Sequence, residues 1–514
     1  MSTSFETAKL IGVIDIGSNS IRLALAHANQ DGTFDVFEKL HRGVWLGKDT
    51  FRRGALGSQA MKAAIDILKF FHDVLKHYGV TDFRVLATTA IREASNADFF
   101  VERVRLATNL EVEVIDATEE VQFTATAVMA NVQKAIREIQ KPLLLADVGG
   151  GSTLLTILQN STVINSQTLN LGSVQLQEML ADTDATPGEI KELMLHAIQE
   201  ILDSSETYFP MQDAEIFIAT GGDARFAAEQ VGTVTMFEHL KCIPYKSLEE
   251  LTERCARYEP QRLCHKFGIP LEDAETLVPA LLTYLELLSR TQAKNLLVSS
   301  VSMRDGVLLA LARDVWGREN ISYREDILDS AKSLAAKFHI DISHAQKTSA
   351  LAERIFDELR PEHGLGSHHR LLLSVTALLQ HAGRFLSNRA FHKHSYYLIA
   401  NSEIFGLRRT DLELVALTAR YSRRGSPKIS HPQYMALPRQ SRLVVSKLAA
   451  ILRIADSLNH GECPAAERIR FQREGDELIL HLPPQEGFLL KLSMLESQGK
   501  MFEDVFGIRV SFED

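Results

Sequence analysis

The sequence predicts an α/β fold in which one unit occurs twice, followed by an all-helical region and a small α+β region. An apolar strand, an aspartate, a glycine turn and a second apolar strand occur at Val13–Leu23 and again at Leu143–Leu155. Such an internal repeat is the strongest single guide to the fold. Strand and helix patterns alternate up to residue 318, as in α/β domains, and strand patterns then vanish from 322 to 458. The matching positions are Asp15 and Asp147, Gly17 and Gly149, and Ser20 and Ser152.

The first copy is predicted to follow the order β-β-β-α-β-α-β-α. Its strands, rich in apolar and β-branched residues, are predicted at Leu10–Asp15, Ile21–Ala28, Phe34–Leu40, Phe83–Ala87 and Val112–Asp116. Helical spacing predicts helices at Ser58–Lys76 and from Thr118 to about Ile136. The second copy is predicted to begin with strands at Leu143–Ala146, Ser152–Leu158 and Val163–Leu169, and to end with a helix over 303–312.

A chain of 514 residues is too long for one hydrophobic core, so several domains are expected. The changes of pattern predict two α/β domains, a helical domain and a small α+β domain. Their predicted ranges are 1–135, 136–318, 319–460 and 461–514.

The charge of the chain is uneven. The formal net charge of −10 at pH 7 argues against a general DNA-binding protein. Residues 381–460 nevertheless hold 13 Lys and Arg against 4 Asp and Glu, which favours a local polyanion site. Solvated surface arginines would give the same count. The four cysteines form no CxxC pair, and the sequence has no signal-peptide pattern and no apolar run of membrane-spanning length. These features predict a cytoplasmic protein with no membrane partner.

The repeated glycine turns suggest phosphate binding. Glycine allows a positive φ angle and leaves no Cβ between the backbone N–H groups and a bound anion. Because Asp15 or Asp147 would repel a phosphate at the mouth of its turn, a cation between them, Mg²⁺, is implied. A single glycine turn is also common in proteins that bind nothing. Two matched turns resemble the actin, sugar-kinase and Hsp70 ATPase superfamily, with its ribonuclease H-like fold, which implies a phosphate held between the two copies.

Two segments could add catalytic groups to this cleft. Glu119 and Glu120 lie at the start of a predicted helix, where acidic residues are common because the helix dipole and free N–H groups favour them. A carboxylate at this place could also activate a water molecule for attack on a phosphoryl group. Arg92 follows the end of a predicted strand. It is either a structural ion-pair partner or a guanidinium that neutralises charge on the transferred phosphoryl group.

Six segments in order resemble the exopolyphosphatase / guanosine pentaphosphate phosphohydrolase family, in its long form with a helical domain that resembles the HD phosphohydrolase fold. These segments are Ile14–Leu23, Thr88–Ala94, Ile115–Gln122, Leu145–Leu155, Leu171–Val174 and Ala219–Ala224. The resemblance implies Mg²⁺-dependent hydrolysis of the terminal phosphate of inorganic polyphosphate. Removal of the 5′ γ-phosphate of pppGpp, or a weakly active sensor of polyphosphate or guanosine phosphates, is the alternative. A homodimer is also implied.

The resemblance also implies roles for individual residues. Glu120 would be the water-activating base, with Glu119 beside it and Arg92 on the phosphate, and Asp15 and Asp147 would hold Mg²⁺. The implied phosphate cradle consists of Gly17, Ser18, Asn19, Ser20, Gly149, Gly150, Gly151, Ser152 and Thr153.

The sequence departs from the family pattern at two places. The glycine loop usually ends in Ser-Thr-Glu, whereas here Leu154 follows Thr153, which predicts weaker metal dependence or slow turnover. The helical domain has Gln380-His381 where the HD fold needs His-Asp, so only Asp456 would match a ligand, and no hydrolysis is expected there. That domain is instead expected to bind the polyanion. Its candidate residues are Arg384, Arg389, His392, Lys393, His394, Arg420, Arg423 and Arg424.

Overall fold

The computed structural model divides the chain into two compact units, Met1–Ile321 and Ser322–Asp514. The predicted domain boundaries near 135, 318 and 460 stay predictions. The residues that the structure describes are 9–138, 141–159, 162–180, 186–207, 209–235, 239–317, 321–423, 425–460, 466–481 and 498–513.

The first sheet contains five strands in the order β3-β2-β1-β4-β5. The first three strands are antiparallel neighbours, whereas β4 runs parallel to β1, and β5 parallel to β4. The central strand is buried over most of its length, because helices cover both faces of the sheet. The strands are β1 (Lys9–Ile16), β2 (Ser20–Ala28), β3 (Phe34–Gly43), β4 (Asp82–Ala87) and β5 (Val112–Val114).

The second sheet repeats this topology and extends it. Its order is β10-β11-β12-β9-β6-β7-β8, so β8-β7-β6-β9-β12 corresponds to the five strands of the first sheet. The predicted duplicated α/β fold class is therefore confirmed. The strands are β6 (Leu143–Val148), β7 (Thr153–Gln159), β8 (Thr162–Leu169), β9 (Ile216–Thr220), β10 (Thr233–Val234), β11 (Leu240–Pro244) and β12 (Asn295–Ser299).

Twelve helices pack around these sheets in the described part of the first unit. They are α1 (Leu46–Arg53), α2 (Ser58–Tyr78), α3 (Thr89–Arg92), α4 (Ala97–Thr108), α5 (Ala117–Glu138), α6 (Ser173–Met179), α7 (Pro187–Glu206), α8 (Gly222–Val231), α9 (Tyr245–Ala256), α10 (Pro260–Phe267), α11 (Leu271–Ser289) and α12 (Met303–Val315). The last helix falls in the predicted range 136–318, yet Val307, Leu308 and Leu311 pack on the first sheet. A Cβ atom on Gly306 would lie 1.9 Å from the carbonyl oxygen of Phe123, so α12 approaches α5 closely.

The second unit is helical with a three-stranded sheet in the order β13-β14-β15. Leu478, Phe502 and Phe512 from the end of the chain share one hydrophobic core with the helices. The helices are α13 (Ile321–Lys337), α14 (Ile342–Glu358), α15 (Arg360–His363), α16 (Ser367–Leu379), α17 (Phe391–Ala400), α18 (Arg409–Arg420), α19 (Pro432–Ala436) and α20 (Arg439–Leu458). The strands are β13 (Arg470–Glu474), β14 (Glu477–His481) and β15 (Arg509–Glu513). Within the described ranges, no helix of either unit has the length and apolar character needed to cross a membrane.

Candidate active site

The two glycine turns carry the same hydrogen bond at equivalent positions. In the first hairpin, the N–H of Gly17 donates to the carbonyl oxygen of Ser20 at 3.0 Å. In the second, the N–H of Gly149 donates to the carbonyl oxygen of Ser152 at 2.9 Å. A Cβ atom on either glycine would lie 3.2 Å from the accepting oxygen. The sequence repeat is therefore also a repeat of backbone geometry.

The two hairpins lie close to each other. A Cβ atom on Gly150 would lie 2.9 Å from the Cβ of Ser18. Behind the second hairpin, the N–H of Val174 donates to the carbonyl oxygen of Gly150 at 2.9 Å. A Cβ atom on Gly172 would lie only 2.3 Å from that oxygen. The start of α6 therefore fixes the second hairpin against the first.

A cleft of about 240 Å³ opens between the hairpins, beyond the carboxyl ends of β1 and β6. Ligands of open α/β sheets bind beyond such strand ends. The cleft brings together most of the site residues predicted from the sequence. Those that line it are Asp15, Gly17, Ser18, Asn19, Ser20, Glu120, Asp147, Gly149, Gly150 and Ser152.

Glu120 enters the cleft from the first turn of α5. Asp116 begins this helix, because its carboxylate accepts the N–H of Glu119 at 2.9 Å. The Glu120 carboxylate then lies 2.5 Å from Nη1 of Arg92, measured to Oε1. Arg92 comes from α3, so two consecutive βα connections of the first sheet converge on one carboxylate.

The ionisation of Glu120 is shifted toward neutral pH. Burial raises the pKa of Glu120 to about 7, although the nearby Arg92 guanidinium works in the opposite direction. The negative charges of Asp15 and Asp147 raise it further. A base with a pKa near the working pH is well suited to proton abstraction.

Asp147 lies at the end of β6, and burial raises the pKa of its carboxyl group. Arg225 opposes that rise. Tyr284 of α11 supports the same place, because its hydroxyl accepts the N–H of Val148 at 3.1 Å and donates to the carbonyl oxygen of Thr220. The buried Tyr284 side chain therefore links the ends of β6 and β9 next to Asp147.

Asp15 and Asp147 together suit one kind of metal site. Among the described residues, no group of three or more His, Cys, Asp or Glu could hold a metal ion by itself. Magnesium, however, is often bound by one or two carboxylates together with substrate phosphates and water. Asp15 also accepts a hydrogen bond from Nη1 of Arg304 at 2.8 Å. The donor set fits Mg²⁺ that arrives with a phosphate, and the ion stays a prediction.

Sequence reasoning missed three arginines that line the cleft, Arg22, Arg225 and Arg304. Burial lowers the pKa of Arg22 and of Arg225, and the charge of Arg304 lowers both further. Each follows a feature that could have indicated it. Arg22 pairs with Asp15 across the first hairpin, Arg225 follows the Gly-Gly turn after β9, and Arg304 follows the end of β12.

Four predicted residues are not part of the cleft lining. The Glu119 carboxylate turns back to accept the N–H of Asp116 at 3.3 Å, so it caps the helix. The Arg92 guanidinium binds Glu120, the carbonyl oxygen of Ile115 at 2.8 Å and Oγ1 of Thr89 at 3.0 Å. It therefore positions the carboxylate in this structure, and the predicted phosphate contact stays a prediction.

The other two belong to the support of the second hairpin. A Cβ atom on Gly151 would lie 2.5 Å from atoms of both Phe51 and Thr89, so this glycine allows close packing. Thr153 is fully buried and donates to the carbonyl oxygen of Leu171. Both residues are buried and lie outside the cleft lining, so their predicted contact with phosphate stays a prediction.

Comparison with known proteins assigns the chain to a family. A model described as the Ppx/GppA phosphatase family matches residues 25–314, and a model of domain III of the Ppx/GppA phosphatases matches residues 328–498. The chain belongs to the Ppx/GppA phosphatase family. Members of this family are phosphate hydrolases, as the relatives of this chain also indicate.

Relatives cover both units of the chain. A guanosine-5′-triphosphate,3′-diphosphate pyrophosphatase of Vibrio atlanticus (strain LGP32) is 23% identical over 486 residues, which are 93% of this chain and 92% of that protein. The crystal structure of an exopolyphosphatase from Cytophaga hutchinsonii has a TM-score of 0.53 and 23% identity, and covers 60% of this chain and 99% of its own. An exopolyphosphatase-like protein of known structure also has a TM-score of 0.53, with 20% identity and the same coverage. Both structures support the fold of the part they cover.

The Ppx/GppA pattern and this chain differ at a residue that faces the cleft. Leu154 lies opposite Asp147 in the second hairpin, lines the cleft and is 6% exposed. The glutamate usual at this place would therefore have been next to Asp147. The sequence departure changes the lining of the site itself.

Six of the eight predicted polyanion residues of the second unit lie close to Phe391 or to His392, the residue after it. The guanidinium groups of Arg384 and Arg423 lie 4.9 and 4.7 Å from the centroid of this ring. Burial lowers the pKa of His392, and Lys393, Arg423, Arg420 and His394 lower it further, which places these charges near one another. Arg389 is exposed, and Arg424 lies outside the described residues.

The residues around the position of the expected HD dyad contact one another. Gln380 donates from Nε2 to Oδ1 of Asp456 at 3.1 Å, and Nε2 of His344 lies 3.8 Å from the same oxygen. Burial alone would raise the pKa of Asp456, but His344 and the other nearby histidines lower it overall. The likeness to the HD fold stays a prediction.

Proposed function

We propose that this Ppx/GppA protein is an exopolyphosphatase, which releases orthophosphate from the end of inorganic polyphosphate with Glu120 as general base. The position of Glu120 carries the proposal. Its carboxylate faces a cleft bordered by two glycine turns, and its pKa is raised to about 7. A base in that state can accept a proton from water near neutral pH.

The residues of the cleft suggest the course of the reaction. The two turns bind the terminal phosphoryl group through backbone N–H groups and the hydroxyls of Ser18 and Ser152. Glu120 takes a proton from a water molecule, whose oxygen forms a bond to the terminal phosphorus. The bond from that phosphorus to the bridging oxygen breaks, and the bridging oxygen leaves on the shortened chain. Arg22, Arg225 and Arg304 offset the negative charge of the phosphates.

Asp15 and Asp147 are the residues that would hold Mg²⁺ together with phosphate oxygens. The ion would neutralise negative charge on the phosphates, including the charge that develops on the leaving group. The basic cluster of the second unit would bind long-chain polyphosphate, since a polyanion is attracted to several cations at once.

Two observations favour other readings of the same site. A guanosine-5′-triphosphate,3′-diphosphate pyrophosphatase matches nearly the whole chain, which favours pppGpp as the substrate. The loss of a cleft carboxylate at Leu154 favours a weakly active protein that senses polyphosphate or guanosine phosphates. All three readings use the same cleft.

One competition assay separates the three readings. Phosphate release is measured with Mg²⁺ on long-chain polyphosphate, on pppGpp, and on a mixture of the two. The proposal predicts a higher kcat/KM for polyphosphate and competitive inhibition of pppGpp turnover by polyphosphate. If the protein hydrolyses pppGpp but not polyphosphate, the result would support the reading as a pppGpp phosphohydrolase. Binding of both without turnover would support the sensor.

A further inference from the structure

The second unit contains a cavity of about 720 Å³, which shares only Arg384 with the residues used in the proposed function. Its size is in the range of small-molecule sites, about 300–1,000 Å³. One side is aromatic and consists of Phe338, His339 and Phe385. The other side is polar and includes His381, Arg384 and His460.

The aromatic side offers a half-exposed ring. Phe385 is 51% exposed, and its ring lies 5.8 Å from that of Phe338 and 5.7 Å from that of His339. His339, two residues after the end of α13, has a φ angle of 53°, in the left-handed region. This turn brings its ring to Phe385. An exposed aromatic ring supported by two others is a platform on which a flat base can stack.

The polar side offers positive charge at Arg384. The guanidinium groups of Arg384 and Arg423 both lie over the ring of Phe391. No carboxylate of the described residues forms an ion pair with either arginine. The acids near the cavity already have partners. Asp341 accepts the N–H of His344 at 3.0 Å as the cap of α14, and Asp456 accepts from Gln380. Arg384 therefore remains available to a phosphate group, while Asp341 keeps its negative charge in the same lining.

These two sides together indicate the ligand. Inorganic polyphosphate would use the cations but would leave the aromatic platform in water. We propose that this cavity binds a purine nucleoside di- or triphosphate, with the base stacked on Phe385 and the phosphates at Arg384 and His460. The site is separate from the cleft of the first unit and does not depend on which substrate that cleft hydrolyses.

The substitution Phe385→Trp tests the stacking directly in the full-length protein. Both natural tryptophans, Trp45 and Trp316, belong to the first unit, so the emission added by the variant reports only on the second. Titration with GTP is expected to quench the added emission to saturation, because a stacked base quenches indole, whereas tripolyphosphate leaves it unchanged. An added emission that GTP does not quench would overturn the proposal.

Calorimetric titration with GTP tests the contribution of the ring. Phe385→Ala is expected to weaken GTP binding at this site about tenfold, the effect of losing one base–aromatic stack, and to leave tripolyphosphate binding unchanged. Leu386→Ala, at the adjacent and similarly exposed residue, is the control and is expected to bind GTP like the wild type. Circular dichroism checks that each variant is folded. Equal GTP affinity of Phe385→Ala and wild type, or equal losses for GTP and tripolyphosphate, would contradict the proposal.

Discussion

Glu120 shows how single neighbours set the chemistry of the cleft. Burial favours the protonated carboxyl group, and the Arg92 guanidinium at 2.5 Å favours the ionised one. The balance leaves a pKa of about 7. A general base works only when it is ionised, so the rate should rise with pH through that value.

Arg92→Gln should move this rise to higher pH. The substitution removes the cation that holds the pKa of Glu120 down, so the acid limb of the kcat/KM profile should shift upward by about one pH unit or more. Arg103→Gln, at an exposed arginine of α4, is the control and should leave the limb in place. If the KM of Arg92→Gln rises and the acid limb of its kcat/KM profile stays in place, the result would instead support the direct phosphate contact of Arg92 predicted from the sequence.

Leu154→Glu should make stability depend on Mg²⁺. A carboxylate opposite Asp147 adds like charge to a buried site, so Tm should fall without metal and recover when Mg²⁺ binds. Leu154→Gln, of the same size without the charge, is the control and should show no recovery. Thermal unfolding at several Mg²⁺ concentrations measures this. An equal response of both variants would mean that Asp147 and residue 154 do not share a metal.

At the scale of elements, the site depends on the packing of α6 beneath the second hairpin. Gly172→Ala would place a Cβ atom 2.3 Å from backbone atoms of Gly150 and Gly151, which cannot give way like a side chain. The displaced turn should lower kcat/KM by about 100-fold. Gly188→Ala on α7, where a Cβ atom meets nothing within 4 Å, should keep full activity. Equal activity of the two variants would contradict a rigid cradle.

The elements also show where sequence reasoning succeeds and where it fails. The hairpins of Asp15 and Asp147 were predictable because strand patterning and glycine turns are local signals. Helix α1 (Leu46–Arg53) escaped prediction, because it is short and lies between stronger patterns. The packing of α12 on the first sheet is a contact between distant segments, which periodicity cannot reveal. Arg304 was missed for the same reason, since one arginine on a helix looks like any surface cation until the fold places it beside Asp15.

At the scale of the whole molecule, we assign bond cleavage to the first unit and the binding of long chains to the second. Arg423→Glu should weaken the binding of long polyphosphate several-fold and make it less sensitive to salt, because one cation of the cluster becomes an anion. Tripolyphosphate turnover in the cleft should change little. Arg103→Glu alters the net charge equally and is the control. Equal effects of both variants on long chains would remove the role of the cluster.

The central claim is that Glu120 activates water between the two hairpins, and its neighbour provides a matched test. Glu120→Gln and Glu119→Gln remove one adjacent carboxylate each, but only Glu120 faces the cleft, while Glu119 caps α5. The deciding measurement is kcat for phosphate release from polyphosphate at saturation. We predict a loss of about 10²–10⁴-fold for Glu120→Gln, and a change within a few-fold for Glu119→Gln with a lower Tm. Equal rates for the two variants would contradict it.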